Sequence, residues 1–226
     1  MADGAYCGHR TRRGATALPA GRFAGPYPAK VSSGTDPDAA PEPFRRAVES
    51  LRSVRLRPEV SLEETAAPQR LAPFAVALSA DVDGPDDTEL ATGRFVLLYD
   101  PAGHETWQGF FRVVTFVRAP LESEVASDPV LPSVGWSWLT EALDMRAVGY
   151  SAASGTVTRV VSEPFGTMAG RPATAEIEIR ASWTAADSRL APHLEAWAAL
   201  LCTVSGLPPS APGVVPMARP GARRTR

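Results

Sequence analysis

The sequence predicts an α+β protein: one antiparallel sheet of about five to six strands with helices packed on one face, in the order α-β-β-β-β-α-β-β-α. Three observations predict it. Short runs of residues alternate apolar with polar, the period of a half-buried strand. Other stretches repeat apolar residues at helical spacing. The turns between the first four strands are too short to carry parallel crossovers.

FRRAVESLRSV (44–54) opens the folded part with Phe44, Ala47, Val48 and Leu51 on one helical face and Arg45, Arg46, Glu49 and Arg52 outward. RLRPEVSLE (55–63) alternates strictly, and Pro58, which cannot donate to a ladder, assigns it to a sheet edge. FAVALSADV (74–82) alternates from Phe74 to Val82, turns through 83–89 and resumes as GRFVLLYD (93–100). After a turn at 101–106, WQGFFRVVTFVR (107–118) is apolar on both faces and is predicted to be central. Residues 127–148 change to helical spacing, with Val134, Trp138, Ala142 and Met145 as the expected buried stripe. Two strands follow, SGTVTRVVS (154–162) and AEIEIRASW (175–183). The last helix starts near Leu190, buries Leu194, Trp197, Leu201 and Val204, and ends at Gly206, a natural C′ residue before Pro208.

Composition brackets this body with two tails. Residues 1–41 and 208–226 are rich in Gly, Pro and Ala without apolar periodicity, and read as disordered flanks of a single domain at 42–207. Val31 is compatible with a GTG start codon, so an upstream mis-assigned start is one reading of the first segment. Five basic and three acidic groups lie in the first 40 residues and four arginines in the last 19, leaving 14 basic and 22 acidic in 41–207. An acidic body therefore carries basic ends. Hydrophobic residues form 44% of the 226, enough for a core, and no apolar run approaches the about 18 residues that span a bilayer. With no secretory h-region near the start, the expectation is a cytoplasmic protein that engages no membrane.

Chemistry-bearing patterns are sparse. Cys7 and Cys202 lack zinc-ligand spacing, and neither a GxSxG elbow nor a Walker loop is present, so no cofactor and no metal is expected. Asp81, Asp83, Asp86, Asp87 and Glu89 crowd one hairpin without EF-hand spacing, and read as a solvated acidic turn. The one catalytic candidate is His104 in DPAGHETW, a general base oriented by Asp100 with Trp107 walling a pocket. Against it stands a simple turn, with Asp100 capping and His104 solvated. Trp136, two residues from Trp138, is expected off the helix's buried stripe, either covering a sheet edge or contacting a partner. Cys202 is expected to be a buried, inert thiol.

RLAPFAVAL (70–78), LLYDPAGHETWQG (97–109), GWSWLTEAL (135–143), SGTVTR (154–159), EIRASW (178–183) and LLCTVSGLPP (200–209) together resemble the actinobacterial family called domain of unknown function 3000. The likeness covers roughly residues 42–209 and implies an intracellular actinobacterial protein, but brings no activity, cofactor or site residue with it. A single lysine, Lys30, among 23 basic residues agrees with a high-GC source. The element order is also similar to secretion-chaperone-like folds less one strand, and such domains commonly bind other proteins. The reading that follows is a non-enzymatic adaptor or chaperone-like module whose partner is another protein. The alternatives are a small-ligand or catalytic pocket at Asp100, His104 and Trp107, and a nucleic-acid accessory acting through the arginine-rich C-terminal tail. The acidic body disfavours nucleic acid.

Overall fold

A computed structural model of the chain describes residues 40–85, 88–146 and 149–208. Helix α1 (Glu42–Arg52) starts behind Pro41 and buries Phe44, Ala47 and Leu51. Four strands follow: β1 (Val60–Thr65), β2 (Phe74–Asp83), β3 (Glu89–His104) and β4 (Gly109–Leu121). Then come the single turn α2 (Ser123–Ala126), helix α3 (Leu131–Arg146), strands β5 (Tyr150–Ser162) and β6 (Thr174–Ala185), and helix α4 (Ala191–Val204). The strands form one antiparallel sheet in the order β1-β2-β3-β4-β6-β5, so β4 is central, as the sequence predicts, and β1 and β5 are the edges.

Register fixes which side chains face the helices. One row runs across all six strands through Glu64, Leu78, Phe95, Thr115, Ala181 and Gly155. Its neighbours Leu97, Val113, Trp183, Val117, Ile179 and Ile177 are fully buried against Leu139, Leu143, Leu194, Trp197 and Leu201 from the helices. Each such side chain contributes roughly 1.5–3 kcal/mol by leaving water. Helices therefore pack on one face, which is where the core lies.

The opposite face is lined differently. Ala77, Val96 and Leu98 form a small buried cluster under Ala67, Ala72 and Trp107. Beyond it Arg180 sits 5.0 Å over the Phe116 ring, and Arg118 pairs with Glu176. Arg112 donates to the Ala152 carbonyl, Thr184 Oγ1 and Ser182 Oγ at 3.0, 3.0 and 2.6 Å.

Two expectations change. The alternation at 55–63 is a strand only from Val60: Pro58 has no N–H, and the chain turns there with Val60 N donating to the Arg57 carbonyl at 3.0 Å. The buried stripe of α3 is Leu131, Gly135, Leu139, Ala142 and Leu143, one position round from the expected one. Val134 and Met145 are exposed and Trp138 is half-buried. This helix is apolar on most of its circumference, so spacing alone does not say which side meets the sheet.

Candidate functional site

A groove lies between α3 and α4 on the flank where Trp138 and Met145 are left outside the core. Residues at the start of α4 are held by α1, because Ala191 N donates to Ser50 Oγ at 2.9 Å, and Pro192 fits the first turn, where no N–H is needed. The other end closes with a Schellman motif: Gly206, at φ +69°, lets its own N–H reach the Thr203 carbonyl (3.1 Å) and Leu207 N reach the Cys202 carbonyl (3.0 Å). That turn folds Leu207 and Pro208 back beside the helix.

The resulting half-open groove holds about 410 Å³. Small residues make its floor: Ala142 from α3, and Ala198, Ala199 and Cys202 from α4. Leu56, Trp138, Met145 and Leu207 wall it, with Met145 74% exposed. Glu141, Arg146, Glu195 and Arg55 supply a rim of both signs.

One arginine organises the far lip. Arg57 forks onto Glu59 with two bonds of 3.0 Å and spends a third donor on the Pro208 carbonyl at 2.9 Å. It thereby joins the α1–β1 connection to the end of the described chain, 151 residues later. Cys202 lies beneath, 8% exposed. Burial pushes its thiol up from the ordinary value, and the Arg57 charge only partly offsets that, so the sulfur is a neutral wall of the groove.

The sequence-derived candidates fall elsewhere. His104 ends β3, is exposed, and stacks its ring on Trp107 at 4.4 Å and 15°. Trp107 also packs on the small outer-face cluster of Ala77, Val96 and Leu98. Asp100 accepts the Ala102 N–H at 3.0 Å, the local cap of a turn. Neither Asp100 nor His104 lines the α3–α4 groove. Trp136 is half-buried with its ring over β5, where a Cβ on Gly155 would come within 2.7 Å of the indole. Asp81 accepts from Thr92 Oγ1 at 2.8 Å, and among the described residues no three His, Cys, Asp or Glu side chains group as metal ligands. Asp86, Asp87, Cys7, Val31 and the arginines of the C-terminal tail lie outside the described residues.

Sequence reasoning placed Trp138 and Met145 in the core and so missed the groove they line. A signal was present. On α4, Ala198, Ala199 and Cys202 put small side chains on one flank, leaving room for a large neighbour that the helix itself does not supply.

Among the described residues no helix is long and apolar enough to cross a membrane. No curated protein and no solved structure matches the chain. A family model described as a protein of unknown function (DUF3000) matches residues 40–215, the described fold and a little beyond it, and the chain belongs to that family.

Proposed function

We propose that this protein is a non-enzymatic, cytoplasmic binding module that takes an apolar-anchored peptide segment of another protein into the α3–α4 groove. The observation that supports this is the pairing of an apolar, small-residue floor with an exposed, adaptable Met145 and a rim carrying both charges. A volume of about 410 Å³ accepts two or three side chains of a docked segment. The neutral state of Cys202 suits a binding wall better than a nucleophile.

A photo-crosslinking amino acid at position 145, compared with one at Val114 on the opposite sheet face, tests the reading in native cells. Protein adducts at 145 that are absent at 114, and that are lost when Ala199→Trp fills the groove, are expected. Adducts equal at both positions, or none at 145 above background, reject it.

A further inference from the structure

The two edges of the sheet are built to opposite rules. An edge strand presents a row of unpaired N–H and C=O groups, and proteins guard such rows with shortness, charge or proline. Strand β1 obeys. It has six residues, carries Glu63 and Glu64, holds Glu64 in an ion pair with Arg52 at 2.9 Å, and follows Pro58.

Strand β5 does none of this. It has 13 residues, YSAASGTVTRVVS, with no proline and one charge. That charge, Arg159, is already engaged: its Nη1 donates to the carbonyls of Ala126 and Asp128 at 3.0 and 2.8 Å. Past the bulge at Ser151/Ser154 the ladder to β6 is regular from Ser154 to Ser162, so the free edge is unbroken by a bulge over nine residues. Among the described residues nothing pairs with it. Val161, Phe165 and Met168 lie exposed at its far end and in the connection to β6, with Phe165 74% accessible.

We infer that β5 pairs with β5 of a second copy of this chain, antiparallel about a two-fold axis, giving one continuous twelve-stranded sheet. The identity of the occupant follows from symmetry. A two-fold sets the strand against its own reverse, so any free charge on it would face a like partner or lie close to one. Arg159 keeps its positive charge, but its bonds to the Ala126 and Asp128 carbonyls hold the guanidinium on α2 and the following turn. The rest of the row from Ser154 to Ser162 is Ser, Gly, Thr and Val against itself, with no second charge. An antiparallel joint also continues the sense of every other pair in the sheet. Aligning the whole regular stretch puts Thr158 on the axis, opposite Thr158 of the second copy, with Ser154 facing Ser162. Thr158 is exposed in the single chain, so replacing it leaves the core untouched. This inference is independent of the groove.

Light scattering coupled to size exclusion, on the full chain, reads the outcome. The native protein should elute with twice the mass of one chain, and Thr158→Lys and Thr158→Glu should each weaken self-association severalfold by opposing like charges. An equimolar mixture of the two variants should associate more tightly than either alone. Amide exchange should slow over 154–162 as the native chain is concentrated. A monomer at all concentrations overturns the inference, and so does a dimer indifferent to both variants or one whose mixed pair gains nothing.

Discussion

The indole N–H of Trp183 donates to Nδ1 of His193 across 3.1 Å of the protein's interior, joining β6 to the first turn of α4. The bond requires a neutral imidazole, protonated only on Nε2, and the surroundings enforce that: His193 is 1% exposed and burial pushes its pKa down to about 4. Asp187 pulls weakly the other way.

Acid lability follows from that pair. The unfolded histidine takes up a proton near its ordinary value of 6.5, while the folded one resists until about 4. Above 6.5 the group contributes no pH dependence; between 6.5 and 4 stability falls as pH falls, by roughly 3 kcal/mol over the full interval. Urea midpoints should therefore drop between about pH 7 and about pH 5, and His193→Gln, which keeps an acceptor for Trp183, should flatten much of that slope. A midpoint unchanged over this range would show that the imidazole is not held neutral.

Arg112 is the second lever. Its guanidinium ties β4 to hydroxyls on β6 and to the Ala152 carbonyl at the β5 bulge, with burial lowering its pKa and, among the described residues, no carboxylate bonded to it. Arg112→Met should cost about 2–3 kcal/mol by leaving those acceptors unserved. Amide exchange should accelerate first around residues 150–156, where Ala152 holds φ +49°. Arg112→Lys, which cannot fork, should recover only part of the loss.

Gly155 tolerates no side chain. A Cβ there would collide with the Arg180 carbonyl and stand 2.7 Å from Cζ3 of Trp136. Gly155→Ala should destabilise by about 1–3 kcal/mol in denaturant titrations. Trimming Trp136 to Leu in the same chain should not restore stability, because the backbone contact remains.

Cys202 should react slowly. In a Cys7→Ser background, alkylation of the native protein at neutral pH should run at least about ten-fold slower than that of a free thiol, since burial keeps the sulfur protonated. Arg57→Ala removes the charge that partly offsets the burial and should slow the reaction further. A rate equal to that of free cysteine would mean the groove floor is open to water.

Much of this architecture was legible where one face of an element is strongly apolar and the other strongly polar. AEIEIRASW could only be read one way, and Ile177, Ile179, Ala181 and Trp183 do face the core. Helix α1 was readable for the same reason. Helix α3 was not, because Val134, Trp136, Trp138 and Met145 clothe it on several sides and three-dimensional neighbours choose among them. The groove was hidden by a related ambiguity: alanines on α4 look like ordinary packing until the residue opposite is known. Placement of His104 on Trp107 depended on the positive φ of Gly103 and Gln108, which shape the β3–β4 connection in space rather than in sequence pattern.

Helix α3 touches the molecule unequally on its two flanks. Along one, Trp136 is seated in the notch left by Gly155; along the other, Trp138 and Met145 border empty space. With Leu139 and Leu143 fully buried beneath it and Trp136 seated at its side, α3 has free space only on the flank of Trp138 and Met145, so a bulkier guest is expected to be accommodated by those two side chains before the helix itself gives way.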